Sequence, residues 1–180
     1  MKILKRILLG IAIIIAIPLL LALFVKKDYA LEREIIVERP VSEVFEHIRH
    51  LENQDQFSKW GSMDPDMKQS YRGVPGTPGS VSAWDSEDKN VGKGEQEIIA
   101  VAENERIDYE LRFIEPFEST SSAYFITEEV SDNQTLVRWG FNGKMNYPMN
   151  LMMLFMNFES MIGDDLEQGL ENLKNLLEQN

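Results

Sequence analysis

The stretch that decides the fold is residues 150–179, NLMMLFMNFESMIGDDLEQGLENLKNLLEQ. Its apolar residues recur every three or four positions, the spacing of one face of an α-helix, for about seven turns. A helix of that length spans about 40 Å, the width of a small domain, and its apolar stripe needs an equally broad partner surface. We therefore predict that residues 31–145 form a sheet that curls around this helix. The stripe comprises Leu151, Leu154, Phe155, Phe158, Met161, Ile162, Leu166, Leu170, Leu173, Leu176 and Leu177.

The segment before this helix has the pattern of an antiparallel sheet. In residues 106–113, Ile107, Tyr109, Leu111 and Phe113 alternate with charged side chains, which indicates a strand with one buried face. The predicted fold class is therefore α+β, with a curved antiparallel sheet wrapped around a long C-terminal helix. The predicted strands are Leu31–Glu38, Ser80–Ser86, Gly94–Ala102, Arg106–Phe113, Ser119–Val130 and Thr135–Met145.

The N-terminal residues read as a transmembrane helix that anchors the chain. Ile7–Val25 is 19 consecutive residues without a charge, about 28 Å as a helix against a bilayer core of about 30 Å. A cleaved signal peptide is the alternative, but its apolar run is usually about 7–15 residues and ends at an A-x-A-like site, which is absent here. The basic residues that flank this apolar run favour a cytoplasmic N-terminus. We therefore predict a single-pass plasma (inner) membrane protein with an extracytoplasmic domain. The predicted organisation is an anchor at 1–27, a linker and start of the first strand at 28–34, and the domain at 35–180.

The composition excludes several classes of function. The chain has 180 residues, of which 43% are hydrophobic, so it can bury a core. It contains no cysteine and only two histidines, and it lacks phosphate-binding and dinucleotide motifs, so no metal and no cofactor is predicted. Five of the 18 basic residues and none of the 30 acidic residues lie in the first 27, which leaves −17 on the remainder. Because such a domain repels phosphate backbones, we predict no nucleic-acid partner.

Candidate catalytic groups are few. Two pairs of acidic residues and one arginine occupy positions expected to face water, and both histidines fall off the apolar face of a short predicted helix. The sequence has no nucleophile elbow and no histidine on an inward-facing strand position, so we expect no catalytic set. The groups considered are Glu128-Glu129, Asp164-Asp165, Arg138, His47 and His50.

Several short motifs resemble the polyketide cyclase/dehydrase-like branch of the START-like superfamily, also called SRPBCC, whose members have the helix-grip fold. The resemblance covers about residues 35–177 and no single motif in it is catalytic. The matching motifs are Val41-x-x-Val44-Phe45-x-x-Ile48, Asn53 to Trp60, Tyr71-x-Gly73-x-x-Gly76-x-x-Gly79, Gly92-Lys93-Gly94, Glu115-Pro116-Phe117, Thr135-x-Val137-x-Trp139, and Met161-Ile162-Gly163 to Gly169-Leu170-x-x-Leu173-Lys174.

The resemblance implies a deep apolar cavity between sheet and long helix that binds lipids, sterols, polyketides or other hydrophobic molecules. We therefore predict a membrane-anchored domain that binds a hydrophobic small molecule or lipid, without an evident catalytic set. One alternative is an enzyme of the polyketide cyclase or dehydratase type, and another is a protein-interaction module that uses the start of the long helix. The side chains predicted to contact the ligand are Trp60, Trp84, Tyr109, Phe113, Trp139, Phe141, Met152, Phe155 and Phe158.

Methionine is concentrated where the long helix is predicted to begin. Because methionine is flexible and polarizable, this segment suits an adaptable apolar surface. Residues 151–156 are apolar on every side, more than one core-facing stripe requires. We predict that Phe155 points inward, that Met153 points outward, and that this segment forms a cavity entrance facing the membrane. Six of the nine methionines lie within 17 residues: Met145, Met149, Met152, Met153, Met156 and Met161.

Overall fold

The computed structural model describes residues 2–179; Met1 and Asn180, the outer ends of the predicted anchor and domain, lie outside the described residues. Along the chain, one long helix comes first and another comes last, and between them lie a seven-stranded sheet, three short helices and one 3₁₀ helix. The elements are α1 (Lys2–Ala22), β1 (Asp28–Val37), α2 (Val41–Arg49), α3 (Leu51–Phe57), α4 (Lys59–Met63), β2 (Lys68–Arg72), β3 (Val81–Asp85), β4 (Lys93–Ala102), β5 (Arg106–Glu115), β6 (Ser119–Ser131), β7 (Gln134–Lys144), the 3₁₀ helix (Met149–Leu154) and α5 (Phe158–Glu178).

The seven strands form one antiparallel sheet in the order β1-β7-β6-β5-β4-β3-β2. Its register places Trp139 of β7 between Arg33 of β1 and Phe125 of β6. Register shifts interrupt the pairing of β4 with β5 and of β6 with β7, and such bulges bend the strands that carry them. All six predicted strands are present, and β2 is an additional one that the sequence did not predict.

The C-terminal helix begins later than predicted. Helix α5 starts at Phe158 rather than Asn150, because the Asn157 side chain accepts a hydrogen bond from the Ser160 amide and caps the helix there. The residues before it form the separate 3₁₀ helix, whose tighter winding takes them out of the apolar stripe. The predicted inward position of Phe155 is therefore wrong: its side chain is 85% exposed. Leu154 and Met161 of the stripe are exposed as well.

Four leucines of the predicted stripe belong to the hydrophobic core. Leu166, Leu170, Leu173 and Leu177 are buried and recur at the helical spacing on which the prediction rested. Helix α2 adds its own buried face to the same core. These residues pack with the inner face of the sheet, and the core also contains Val37, Val44, Phe45, Ile48, Leu51, Phe57, Ile98, Ile107, Phe125 and Val137.

Helix α1 stands apart from this core. It is the one helix among residues 2–179 that is long and apolar enough to cross a membrane, and its 21 residues span about 31 Å. Ala22, at its last position, is the only buried residue that the structure shows in it. Pro18 lies within the helix, a position that membrane-spanning helices tolerate more readily than soluble ones.

Candidate functional site: a cavity between sheet and helix

A cavity of about 830 Å³ lies between the inner face of the sheet and the N-terminal part of α5. All seven strands contribute to its lining, together with α3, α4, the 3₁₀ helix and α5. The space follows from the sequence of β6, whose inward positions Ser119, Ser121 and Ala123 carry small side chains. The next inward residue, Phe125, is large and buried in the core, so the cavity ends where β6 begins to fill the interior.

The walls of the cavity are rich in aromatic rings. All three tryptophans of the chain line it. Trp139 is only 7% exposed, and its indole stacks on Phe125 with ring centroids 4.8 Å apart and meets Trp60 edge-on at 6.1 Å. On the opposite wall, Trp84 meets Phe113 edge-on at 6.0 Å. Such arrangements fix the rings beyond what area burial alone provides, so the wall has a defined shape.

Six of the nine side chains predicted to contact a ligand line the cavity, and three do not. Tyr109 lies in the core beneath it, fully buried, with its ring edge-on to Phe125. Phe158 packs outside the lining, against Tyr29 at 5.6 Å, and Phe155 is exposed to solvent. The six that line it are Trp60, Trp84, Phe113, Trp139, Phe141 and Met152.

A chain of amide hydrogen bonds lies along one side of the cavity. The Gln54 amide nitrogen donates to the Ile48 carbonyl at 3.2 Å and to the Tyr109 hydroxyl at 3.0 Å. Gln96 donates to the Gln54 carbonyl oxygen at 3.0 Å, and both glutamines line the cavity. Burial raises the pKa of Tyr109, so this hydroxyl stays protonated and donates to the Ile48 carbonyl at 3.3 Å. The network therefore gives an otherwise apolar cavity a fixed polar side.

A partly buried carboxyl group, that of Asp55, also faces the cavity. Asp55 of α3 lines it and accepts a short hydrogen bond from the Tyr71 hydroxyl of β2. Burial raises the pKa of Asp55 above its usual range, and this effect exceeds the opposing effect of its hydrogen bonds. The pKa of Tyr71 is raised too, by burial and by the carboxyl beside it. The pair joins the helical side of the cavity to the edge strand of the sheet.

The mouth of the cavity is marked by side chains that line it and yet remain exposed. Phe117, in the turn between β5 and β6, is 72% exposed, and Tyr147 and Met149 are exposed to a lesser degree. Met152 completes this side from the 3₁₀ helix. The methionine-rich segment therefore lies at the mouth, through Met149 and Met152.

The charged groups singled out in the sequence lie away from the cavity. Arg138 pairs with Glu128 at 2.6 Å on the outer face of the sheet, and Asp165 pairs with Lys59 at 2.6 Å. The position of His47 off the predicted apolar face indicates a solvated side chain, and this is wrong, because its Nε2 atom is buried without a hydrogen-bond partner and its ring packs against Phe57. Among residues 2–179, no group of three or more potential ligands is placed to hold a metal ion.

The sequence analysis missed the polar lining residues. Gln54 and Asp55 lie in α3, whose sequence LENQDQF looks like a solvated helix. Tyr29 was missed because β1 begins at Asp28, three residues before the predicted strand. Its alternation with Leu31 was the available signal, and the ring lines the cavity beside Phe141 at 6.1 Å.

The comparison with protein families finds one matching model. The model described as polyketide cyclase / dehydrase and lipid transport matches residues 29–178. No curated protein matches the sequence.

Solved structures share the fold at low sequence identity. A START superfamily protein from Mycobacterium smegmatis is 16% identical with a TM-score of 0.55, over 83% of this chain and 97% of that one. A protein from Thermobifida fusca is 20% identical with a TM-score of 0.55, over 81% and 90% of the two chains. A hypothetical protein from Helicobacter pylori is 10% identical with a TM-score of 0.62, over 83% and 88%. These similarities confirm the helix-grip fold and, with the family match, the resemblance found in the sequence.

Proposed function

This chain belongs to the polyketide cyclase/dehydrase and lipid transport family, and from that premise we propose that its cavity binds a hydrophobic small molecule or lipid. The observation that carries the proposal is the cavity itself, about 830 Å³ in volume and walled by three tryptophans. Ligand sites usually measure about 300–1,000 Å³ and combine apolar walls with a few polar groups. A solid core of the same fold would leave no such space.

The polar side of the cavity narrows the class of ligand. Gln54 and Gln96 offer amide groups, and Asp55 offers a carboxyl group. Because buried polar groups are costly when unpaired, an apolar ligand with one hydroxyl, carbonyl or amide group suits this cavity better than a pure hydrocarbon. We propose that this group meets the glutamines while the apolar body of the ligand lies against the tryptophans.

We propose further that the domain works at a membrane surface. The proposed organisation is an anchor at 1–27, a linker and strand start at 28–34, and the ligand-binding domain at 35–180. Helix α1 supplies the span, and the basic residues around it favour a plasma (inner) membrane with the domain outside the cytoplasm. Protease added to intact spheroplasts should then digest the domain. Digestion only in inside-out vesicles would reverse this orientation.

Energy transfer from the tryptophans tests ligand binding. Since all three tryptophans line the cavity, their excitation should sensitise N-phenyl-1-naphthylamine, an apolar probe that absorbs where tryptophan emits, only when the probe enters. Ser121→Phe places a ring in the cavity, whereas Ser122→Phe places the same ring on the exposed outer face of the same strand. We expect transfer in wild type and Ser122→Phe and its loss in Ser121→Phe. Equal transfer in all three would place the probe elsewhere and refute the proposal.

A second candidate is an enzyme of the cyclase or dehydratase type, and Asp55 is the observation that favours it. A cavity carboxyl whose pKa is raised by burial keeps its proton to higher pH than usual and can pass it to a bound molecule. The test is mass spectrometry of the molecule that co-purifies with the protein, after incubation with wild type or Asp55→Asn. Loss of water in wild type alone would indicate an enzyme, and an unchanged mass in both would favour binding alone.

A further inference from the structure

The strongest unexplained feature is a buried asparagine between the anchor and the domain. Asn150, in the 3₁₀ helix, has no exposed surface. Its side-chain nitrogen donates to the carbonyl of Ala22 at 2.7 Å and to that of Val25 at 3.0 Å. The last carbonyl groups of a helix lack partners within the helix, so one side chain caps α1 and ties it to the domain. Burying a polar side chain is costly unless its hydrogen bonds are made. Here only the amide nitrogen is paired, because the Oδ1 atom of Asn150 is buried without a hydrogen-bond partner.

The chain on the other side of this contact is fixed as well. The Met145 amide donates to the Lys27 carbonyl at 2.7 Å, and Asp28 is already paired with Lys144 in the sheet. Only residues 23–27 separate α1 from β1, and both ends of this segment are held. The anchor is therefore joined to the domain by a short fixed segment, here called the Asn150 junction, and α1 determines how the domain faces the bilayer.

Exposed apolar side chains lie beside this junction. Leu154 and Phe155 follow Asn150 by four and five residues and are 59% and 85% exposed. Phe117 lines the same cavity as Met149 and Met152 of the 3₁₀ helix and is exposed. Phe24, within the junction, is exposed too. These four exposed apolar side chains are here called the rim; they belong to the cavity mouth, the 3₁₀ helix and the junction, and the 3₁₀ helix is in contact with α1. Exposed apolar side chains that lie together mark a binding surface.

The charges near the rim suit a bilayer interface. Lys26 and Lys27 are exposed in the same segment of an otherwise acidic chain, where they can meet lipid phosphates. Glu118 lies next to Phe117 and is exposed, so that side of the rim can reach the headgroup region but not the hydrocarbon. The acidic remainder of the domain is repelled by anionic lipid, which leaves the rim as the surface able to approach.

We propose that the lipid bilayer covers the rim: the Asn150 junction holds the mouth of the cavity against the same membrane that α1 enters. This inference rests on the proposed function, since it requires α1 to span the bilayer. Its consequence is that an apolar ligand passes between bilayer and cavity without crossing water. Continuity with the anchor selects the bilayer over a protein partner, because α1 leaves the membrane within a few residues of the rim.

Quenching of a fluorophore at single positions tests the proposal. Because the chain has no native cysteine, only the introduced cysteine is labelled. Full-length Phe155→Cys and Phe117→Cys carry an NBD fluorophore in phosphatidylcholine vesicles that contain lipid with a nitroxide on the headgroup or at carbon 5 of the chain. Val130→Cys, an exposed apolar position next to the β6–β7 turn, is the matched control, and Ile13→Cys reports on the anchor. We expect both rim positions to be quenched at least threefold more than Val130→Cys.

The outcomes separate this proposal from the proposed function. If Ile13→Cys is not quenched, α1 does not span the bilayer and the anchor fails. If Ile13→Cys is quenched but the rim positions match Val130→Cys, the rim does not meet lipid and the present inference is overturned. Rim positions shielded from aqueous iodide but not quenched by lipid would indicate a protein partner or a second copy, which also overturns it. Probe binding in the cavity is measured separately and survives either result.

The role of the junction has its own variant. Asn150→Leu keeps a side chain of similar size but removes both hydrogen bonds, one to the last residue of α1 and one to Val25 beyond it. We expect lipid quenching at Phe155→Cys to fall towards the Val130→Cys level while quenching at Ile13→Cys is unchanged. Undiminished quenching at Phe155→Cys in the folded variant would show that the junction does not orient the domain. If Asn150→Leu does not fold, the comparison of the labelled positions in the wild-type background still decides whether lipid covers the rim.

Discussion

Gly169 offers a sharp test of how α5 packs on the cavity wall. This glycine lies in the middle of the helix, and an alanine Cβ at its position would be 2.6 Å from Cζ3 of Trp139. The indole has little freedom to move aside, because Phe125 stacks on it at 4.8 Å and Phe57 meets it edge-on at 5.9 Å. Its remaining path leads into the cavity, which Trp139 lines. Gly169→Ala should therefore strain the wall or narrow the cavity.

The magnitude follows from two opposing effects. Replacing glycine by alanine within a helix usually stabilises it by about 1 kcal/mol, whereas overpacking a core usually costs about 1–3 kcal/mol. The net expectation for Gly169→Ala is a loss of about 0–2 kcal/mol in the free energy of unfolding. Gly163→Ala is the matched control on the same helix. Its Cβ would meet the end of the flexible Arg33 side chain, which can move away, so a gain of up to about 1 kcal/mol is expected.

Urea unfolding of the detergent-solubilised protein, followed by tryptophan fluorescence, measures both free energies. Energy transfer to N-phenyl-1-naphthylamine, measured in parallel, shows whether the indole has moved into the cavity. We expect Gly163→Ala to exceed Gly169→Ala in stability by about 1–3 kcal/mol, the size of the overpacking cost. Equal stabilisation by both substitutions, with probe binding unchanged, would refute the argument that α5 presses on Trp139.

Three further predictions concern polar groups. Because burial raises the pKa of Asp55, ionising its carboxyl group costs stability as pH rises from about 4, the usual carboxyl pKa. The Tm of Asp55→Asn relative to that of wild type should therefore increase between about pH 4 and pH 7. A constant difference in Tm would contradict this. Burial lowers the pKa of His47, so the fold should lose stability as pH falls below about 6.5; in thermal melts this loss should be smaller in His47→Gln. Gln54→Leu leaves the Gln96 amide without its acceptor, and urea unfolding should show a loss of about 1–3 kcal/mol.

The elements that could be predicted from the sequence are those whose apolar periodicity distinguishes a buried face from an exposed one. β5 alternates apolar and charged residues, and the second half of α5 has leucines separated by acids and amides, so each pattern admits one face. Residues 151–156 have no polar side from which to infer an orientation. The apolar spacing therefore continues through them, although the Asn157 cap begins α5 only at Phe158.

The elements and residues that were not predicted lack such apolar periodicity. β2, KQSYR, is exposed along its whole length at the edge of the sheet, so it carries no apolar alternation. Gln54 and Asp55 occupy a helix that covers an open interior, where a polar side chain can face the cavity instead of water. Asn150 could not be identified because its partners are the main-chain carbonyls of Ala22 and Val25, more than 120 residues away in sequence. A residue pattern indicates which face is buried, but not which polar group meets another across the fold.

Native mass spectrometry of the full-length protein, extracted from its own membranes and released from detergent, tests the central claim most directly. The claim is that the cavity of about 830 Å³ holds an apolar molecule in the functioning protein. The prediction is a bound mass on wild type and on Ser122→Phe that is reduced on Ser121→Phe, whose new ring projects into the cavity. The bound molecule should be soluble in organic solvent and carry at least one polar group. Wild type without any bound mass, or Ser121→Phe with the same bound mass as wild type, would contradict the account.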